Sequence, residues 1–354
     1  MPANTIVQIY QCLLAGFDDY TLDRRGDVGA WVREAAMTSL VDLTFLLLEA
    51  DPALVPDICV RDLMPRLAQQ ANEKIDRTRG LATRLFASVL LKRDPVVPGI
   101  PAREEVVKLF PADLDEKTFQ WTVESATFPI FCKLIHLDDY RERVLLGLTV
   151  SVGGLTERLV KFSSASLFNE IKSLERDGLE KIAAAIVSIF KSNQKDDRVT
   201  VLLFKFLDQI LSSGHFDDLV EDEGSTFVMD LVTVIKAEIS KCGDPNKLML
   251  SVEVICGLLA SADPAAVKKC LVQLSIFLCH KFPRIRKITA SKLFEALLTF
   301  ADREIVPEEN LDDVNTILSD TDWDQDIATL RPIRNNLCDL LKIPAPAILK
   351  KIVA

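Results

Sequence analysis

The sequence predicts an all-α protein, an α-solenoid of stacked antiparallel helix pairs of the HEAT or armadillo kind. Three observations lead to this fold class. Apolar residues recur with helical spacing over most of the chain, a similar helix opening recurs along it, and no sustained alternation of apolar and polar residues ends in an Asn-Gly or Asp-Gly turn. Since one helix pair cannot bury its apolar face alone, neighbouring pairs must stack, and a superhelix with a long concave surface is expected.

Helical spacing is clearest in four segments, where apolar residues follow the i, i+3, i+4, i+7 pattern of a helix that faces a core. Their apolar positions are Val32, Ala36, Leu40, Leu43 and Leu47 in the first segment; Leu179, Ile182, Ala183, Ile186, Val187 and Phe190 in the second; Leu202, Leu203, Phe206, Leu207, Ile210 and Leu211 in the third; and Ala290, Leu293, Phe294, Leu297, Leu298 and Ala301 in the fourth.

Prolines divide these patterns into separate helices. A proline inside a helix removes a hydrogen bond and costs about 3 kcal/mol, so each proline predicts a helix boundary. Their densest cluster predicts a proline-rich loop or break at 94–118, between helical repeats at 1–93 and a C-terminal solenoid of helical repeats at 119–354. The predicted boundaries are Pro52, Pro56, Pro65, Pro95, Pro98, Pro101, Pro111, Pro129, Pro245, Pro264, Pro283, Pro307 and Pro344.

Several predicted helices open in the same way, with a turn residue, then a basic residue, then small and large apolar residues. The spacing of these openings is wider than one two-helix HEAT or armadillo unit. Asp27 with Arg33, and Asp197 with Arg198, have two interpretations: surface charges of no measurable worth, or an Asp/Arg ladder that aligns adjacent repeats. The openings begin at Gly26, Lys74, Asp138, Lys195 and Phe282.

Composition limits the classes of protein that this chain can belong to. It has 354 residues, of which 49% are hydrophobic and 27% charged, which is enough apolar surface to fold. The formal net charge of -10 argues against a general nucleic-acid binder, which needs an excess of Lys and Arg. No apolar run approaches the ~20 residues of a membrane span, and the first residues lack the features of a signal peptide. A cytoplasmic protein with eight reduced, structural cysteines is therefore predicted.

The sequence offers few parts for a catalytic site. Its three histidines, His136, His215 and His280, have no partner at metal-binding spacing and are interpreted as structural. No phosphate-binding loop, dinucleotide-binding glycine pattern or nucleophile elbow is present in the sequence. We therefore predict no enzyme activity, no cofactor and no metal, although a site assembled from scattered polar residues remains the rival hypothesis.

The basic cluster FPRIRK is the most distinctive charged motif. Pro283 suits the first turn of a helix, which places Arg284, Arg286 and Lys287 near the positive end of the helix dipole, at an expected cost of ~0.3–1 kcal/mol per charge. Carboxylates must compensate these charges. They are supplied either by a neighbouring repeat, which is the preferred interpretation, or by an acidic surface on a partner.

Three blocks of the sequence resemble the tubulin-folding cofactor D family, also called tubulin-specific chaperone D. They are DDYTLDRRGDVGAWVREAAMTSLVDLTFLL from Asp18, LCHKFPRIRKITASKLFEALLTF from Leu278, and LSDTDWDQDIATLRPIRNNLCDLLKIP from Leu318. They bracket the chain from Asp18 to Pro344 around a middle that looks divergent, and they resemble only the C-terminal part of that longer family.

The resemblance implies a tubulin-binding chaperone module that acts in folding, assembly and disassembly of the αβ-tubulin dimer. It implies β-tubulin or the αβ dimer, other tubulin-folding cofactors and an Arf-like small GTPase as partners, and a cytoplasmic, cytoskeleton-associated location. Stimulation of tubulin GTP hydrolysis is implied only for a larger complex. A generic solenoid adaptor with another protein partner is the alternative.

Because tubulin is itself acidic, a chain of charge -10 has to meet it through local basic patches and apolar contacts. The two tryptophans of the conspicuous blocks are either aromatic anchors for a partner or partly buried core. The candidate partner-binding residues are Arg24, Arg25, Trp31, Arg33, Arg284, Arg286, Lys287 and Trp323.

Overall fold

A computed structural model describes residues 3–111, 114, 118–154 and 156–347. Within these ranges the chain forms seventeen α-helices and a single pair of two-residue strands, so the predicted all-α class is confirmed. The helices pack as neighbouring pairs in the manner of an α-solenoid. By its internal contacts the chain divides into two compact units, Met1–Gly178 and Leu179–Ala354.

The first unit is built around α3, which packs against α4 and α7. Helix α2 packs against α1 and α4, and α8 packs against α6 and α7. Helix α1 also contacts α3. The helices are α1 (Ala3–Ala15), α2 (Gly29–Ala50), α3 (Asp57–Gln70), α4 (Asp76–Leu91), α5 (Arg103–Leu109), α6 (Glu124–Phe131), α7 (Asp138–Val152) and α8 (Glu157–Lys172), and a hairpin of β1 (Leu22–Asp23) and β2 (Gly26–Asp27) precedes α2.

The second unit has α13 at its centre, between α10 and α15, while α14 contacts α12, α13, α15 and α17. The apolar stripe predicted from Leu179 to Phe190 is buried at every position. Helix α9 begins three residues before this unit. The helices are α9 (Arg176–Ser192), α10 (Asp197–Ser212), α11 (Asp217–Val220), α12 (Phe227–Ile239), α13 (Pro245–Gly257), α14 (Pro264–Phe277), α15 (Pro283–Thr299), α16 (Leu311–Asp320) and α17 (Ile327–Leu340).

Aspartates and prolines begin several of these helices. Pro245, Pro264 and Pro283 occupy the first helical turn, as predicted, since a helix leaves its first N–H groups without partners. The prediction is wrong for Pro65 and Pro129, which lie inside α3 and α6. Pro65 is buried in the helix that forms the centre of the first unit, and we infer that this packing offsets the lost hydrogen bond.

The proline-rich segment at 94–118 lies within the first unit. It contains α5, and its described part is anchored in the core by Phe110, whose ring lies 6.1 Å from that of Phe86 and 5.9 Å from that of Phe131. The hydroxyl group of Tyr140 also donates a 3.0 Å hydrogen bond to the carbonyl oxygen of Pro101. Whether the segment marks a break between repeats stays a prediction.

Three of the repeated helix openings contain a buried arginine that bonds to a neighbouring loop. Arg33, Arg79 and Arg286 each lie in an early turn of a helix, are at most 3% exposed, and donate to backbone carbonyl oxygens of neighbouring loops. A carbonyl oxygen in a tight turn has no helical partner, so a guanidinium group with five donors can satisfy several of them at once. The arginines therefore tie three of the five openings, those of α2, α4 and α15, to the adjacent loops.

Candidate protein-binding surfaces

The first candidate surface is the hairpin between α1 and α2. Its strands pair antiparallel, with Leu22 opposite Asp27 and Asp23 opposite Gly26, so that Arg24 and Arg25 form the turn. Gly26 has φ of +106°, a conformation that L side chains rarely adopt, which explains the glycine after the two arginines. Both arginines are exposed.

Arg25 links the hairpin to the start of α2. Its Nε and Nη2 atoms lie 2.9 and 2.6 Å from Oδ2 of Asp23, and its guanidinium carbon lies 5.1 Å from the centre of the Trp31 ring. Trp31 is 52% exposed and Leu22 is 67% exposed, so the surface combines cations with accessible apolar area. Such a combination of Arg and Trp is typical of protein-binding hot spots.

The buried side chain of Arg33 binds residues before this hairpin and at its end. Its Nη2 atom lies 2.9 Å from Oδ2 of Asp27, its Nη1 atom donates to the carbonyl oxygen of Asp19 at 2.5 Å, and its Nε–H donates to Gln70 at 3.2 Å. The guanidinium group also stacks over the Tyr20 ring at 4.1 Å. Burial disfavours its charge, but the hydrogen bond to Asp27 and the nearby acidic groups outweigh this effect and keep the pKa of Arg33 above its usual value. Asp27 and Arg33 are therefore not freely exposed surface charges, and a ladder that aligns adjacent repeats stays a prediction.

The second candidate surface is a groove beside the start of α15. It has a volume of about 570 Å³ and is lined by Met249 from α13, Arg284, Lys287, Ile288 and Ser291 from α15, and Asp324 from the loop before α17. Lys287 forms an ion pair with Asp324, and Arg284 is exposed. The groove therefore has an apolar base and a cationic rim.

Arg286 and Trp323 hold the wall of this groove rather than lining it. Arg286 donates through Nε to the carbonyl oxygen of Trp323 at 2.7 Å, and through Nη1 and Nη2 to those of His280 and Gln325 at 2.9 Å each. The indole of Trp323 is only 5% exposed, and its Nε1–H donates to the carbonyl oxygen of Leu318 at 3.2 Å. Backbone carbonyl oxygens of the neighbouring loops thus compensate the charge of Arg286, in place of the carboxylates that the sequence predicted.

The predicted residues therefore separate into two groups. Arg24, Arg25, Trp31, Arg284 and Lys287 are exposed. The other three are buried and position the exposed ones: Arg33, Arg286 and Trp323.

Sequence reasoning missed four lining residues of the groove: Met249, Ile288, Ser291 and Asp324. Ile288 follows Arg284 by one helical turn, so helical spacing could have identified it. Met249 and Asp324 come from other elements, and no local signal in the sequence connects them to α15.

Among the described residues, no group of three or more His, Cys, Asp or Glu side chains is arranged to hold a metal ion. His136 pairs with Glu170 at 3.0 Å, and Nδ1 of His280 accepts a hydrogen bond from the backbone N–H of Phe282 at 3.2 Å. Burial raises the pKa of the Cys270 thiol to about 12, which makes it an inert core residue.

None of the helices in the described ranges combines the length and the apolar composition that a membrane crossing requires.

Comparison with known proteins gives a consistent result. The family described as tubulin folding cofactor D C terminal matches residues 61–247, which is the part of the sequence that looked divergent. Tubulin-specific chaperone D of Dictyostelium discoideum is 24% identical over 367 aligned residues, which cover 94% of this chain and 24% of that protein. Tubulin-folding cofactor D of Schizosaccharomyces pombe is 21% identical over 319 residues, which cover 85% of this chain and 27% of that protein. The chain thus spans about a quarter of the length of these relatives. No solved structure matches it.

Proposed function

The chain belongs to the tubulin folding cofactor D C-terminal family, and from this membership we propose that it is a tubulin-binding chaperone module. In this proposal it holds β-tubulin or the αβ-tubulin dimer during folding, assembly and disassembly of the dimer. The names of the two relatives support a role in tubulin folding. Family membership is the observation that carries the proposal.

The arrangement of the candidate residues supports binding rather than covalent chemistry. The hairpin presents Arg24, Arg25 and Trp31 on a rigid base, and the groove presents Arg284 and Lys287 around an apolar floor. Each surface offers local positive charge on a chain whose net charge is -10. Local patches of this kind are what an acidic partner requires, because complementary charge at the contact offsets repulsion between the two molecules as a whole.

The wider role of the module follows from the same membership and forms part of the proposal. Other tubulin-folding cofactors and an Arf-like small GTPase are its further partners, and its location is cytoplasmic and cytoskeleton-associated. Stimulation of GTP hydrolysis by tubulin belongs to the larger complex and is not assigned to this chain. The module itself needs no cofactor.

Analytical ultracentrifugation tests the proposal. We expect the purified chain to sediment with αβ-tubulin in a complex that weakens between ~50 mM and ~150 mM salt, since charge pairs at a surface are screened over about 8–10 Å. Reversal of charge in Arg24→Glu/Arg25→Glu, or in Arg284→Glu/Lys287→Glu, should weaken the complex. The matched control is Arg93→Glu, which reverses an exposed charge outside both surfaces. Absence of any complex at micromolar concentrations would contradict autonomous tubulin binding.

The alternative is a solenoid adaptor with a partner other than tubulin. A pulldown from cytosol with the wild-type chain and the Arg24→Glu/Arg25→Glu variant separates the two. Tubulin retained by the wild type and lost by the variant favours the chaperone module, whereas an unrelated protein retained in its place favours the adaptor.

A further inference from the structure

A continuous set of contacts joins the N-terminal turns of four helices in the first unit. Oε1 of Glu34 in α2 lies 3.0 Å from Nε of Arg77 and accepts a 2.6 Å hydrogen bond from the hydroxyl group of Thr78, both in the first turn of α4. The hairpin precedes α2 directly, and Trp31 lies one turn before Glu34. The hairpin and the start of α4 therefore belong to the same edge of this unit.

The contacts continue from α4 to α8. Nη2 of Arg79 lies 3.7 Å from Oε1 of Glu124, the first residue of α6, and donates at 3.4 Å to the carbonyl oxygen of Thr122. The other carboxylate oxygen of Glu124 lies 3.1 Å from Nη2 of Arg158, the second residue of α8. We call this row of N-terminal turns, from the hairpin through α2, α4 and α6 to α8, the arginine edge.

Burial along the arginine edge separates the two signs of charge. Arg25, Arg77 and Arg158 have side chains that are 66%, 63% and 64% exposed, whereas Glu34 and Glu124 are only 17% and 9% exposed. The carboxylates therefore lie beneath the arginines and fix them in place. A guanidinium group has five N–H donors, so a single carboxylate does not exhaust it.

Among the exposed side chains of the edge, cations outnumber carboxylates. Arg24 and Lys74 add two exposed cations, and Asp23, Asp76 and Glu157 are exposed carboxylates. Two of these carboxylates are already bound to arginines. Asp23 binds Arg25, and Asp76 accepts a 2.8 Å hydrogen bond from Arg79.

We propose that the arginine edge docks an extended acidic segment of a protein partner, with Trp31 and Leu22 as its apolar end. The proposal rests on the proposed function, since it extends the hairpin surface to Arg77 and Arg158. Charge complementarity determines the choice of partner, because exposed cations supported by buried carboxylates attract carboxylates and repel basic segments. Four neighbouring helices at ~8–10 Å spacing give an edge of roughly 25–30 Å, which an extended segment of about eight residues spans.

Fluorescence anisotropy with a labelled peptide of ten glutamates tests the edge directly. We expect the wild-type chain to bind the peptide at ~50 mM salt, and Arg77→Gln/Arg158→Gln to raise Kd by at least about two-fold, in line with ~0.2–1 kcal/mol for each of two exposed ion pairs. The matched control is Arg93→Gln/Lys172→Gln, which removes two exposed cations at the C-terminal ends of α4 and α8. These ends lie roughly 20 Å or more from the N-terminal turns, beyond the screening length, so Kd should stay within about 1.5-fold of the wild-type value.

Either of two results overturns the proposal: no binding of the peptide by the wild type, or equal Kd values for Arg77→Gln/Arg158→Gln and the control. Far-ultraviolet circular dichroism establishes that the variants are folded. The same proteins are then measured with αβ-tubulin. If tubulin binds the wild type but the peptide either does not bind it or binds Arg77→Gln/Arg158→Gln and the control equally, the edge proposal fails and the proposed function stands. If the peptide depends on the edge but tubulin does not bind the wild type, the proposed function fails and the edge stands.

Discussion

The guanidinium group of Arg33 meets the carboxylate of Asp27 through two contacts, Nη2 to Oδ2 at 2.9 Å and Nη1 to Oδ1 at 3.2 Å. This parallel pairing joins the last residue of the hairpin to the second turn of α2. The side chain of Arg33 is fully buried and that of Asp27 is 13% exposed. Because Arg33 also binds the carbonyl oxygen of Asp19, it fixes both ends of the loop that presents the exposed arginines.

Arg33→Lys should destabilise the first unit and loosen the hairpin. A lysine cannot reproduce the planar, parallel pairing, so Asp27 loses a donor and the carbonyl oxygen of Asp19 loses its side-chain partner. Breaking a buried ion pair costs about 3–5 kcal/mol, and retention of the charge should limit the loss to the lower part of that range. Urea unfolding measures the free energy. Arg25→Lys is the control and should cost under about 1 kcal/mol, because Arg25 is exposed.

Arg286→Met should disorder the wall of the α15 groove. The substitution leaves three carbonyl oxygens, those of His280, Trp323 and Gln325, without the donor that joins them. The Trp323 carbonyl contact is buried and the other two are part-buried, so at about 1–3 kcal/mol for an unsatisfied buried acceptor a loss of at least ~2 kcal/mol is expected. Hydrogen exchange should accelerate in the loop that contains Trp323. Equal protection in this variant and in Arg284→Met, its exposed neighbour, would show that Arg286 does not hold the wall.

Lys247→Met should destabilise the second unit by about 3–5 kcal/mol, since it leaves the fully buried Glu238 with an uncompensated charge. Lys247 is buried between Glu238, at 2.5 Å, and Asp197, with which it also forms an ion pair. The double variant Lys247→Met/Glu238→Gln removes the orphaned charge and should recover at least half of the loss. Thermal unfolding of the three proteins at pH 7 provides the comparison.

The ion pair of Glu238 with Lys247 also predicts that the second unit loses stability in acid. Burial alone would raise the pKa of Glu238, but hydrogen bonds from Lys247, the backbone N–H of Lys195 and the hydroxyl group of Thr200 outweigh it and lower the pKa below the usual 4.5. A lowered folded-state pKa stabilises the fold above the unfolded-state pKa, and this stabilisation is lost as the pH falls through the folded-state value. The difference in unfolding free energy between wild type and Lys247→Met/Glu238→Gln should therefore shrink below about pH 4.5. A difference independent of pH from 3 to 7 would contradict this assignment.

Asp208→Asn should stabilise the second unit at neutral pH. Burial raises the pKa of Asp208, while the nearby charge of Lys292 only partly offsets this effect. A carboxyl group whose pKa is raised in the folded state binds more protons there than when unfolded, so it costs stability as the pH rises through that pKa. The variant should therefore gain stability over the wild type as the pH rises from ~4 to ~7, measured as the difference between urea midpoints. A variant less stable than the wild type at pH 7 would exclude this interpretation.

Helical spacing places Arg33 and Arg286 on buried stripes, although arginine is usually a surface residue. Arg33 falls on one stripe with Ala30, Met37 and Leu40, which are all buried. Arg286 falls on another stripe with Thr289, Ala290 and Leu293, also buried. Periodicity could thus have placed both arginines inside, but the expectation that charge stays at the surface favoured an exposed role.

By itself, the sequence determined the all-α class, the proline-marked starts of three helices and the family, because apolar periodicity, helix-starting prolines and family-specific blocks are local properties of the chain. Only the tertiary structure decided which cations a partner can reach, and it alone brought Met249 and Asp324 to α15 and joined Arg77 and Arg158 to the hairpin edge. The physical reason is that burial and charge pairing depend on residues far apart in sequence. A buried carboxylate such as Glu124, which contacts arginines of two other helices, fixes positions that no local pattern specifies.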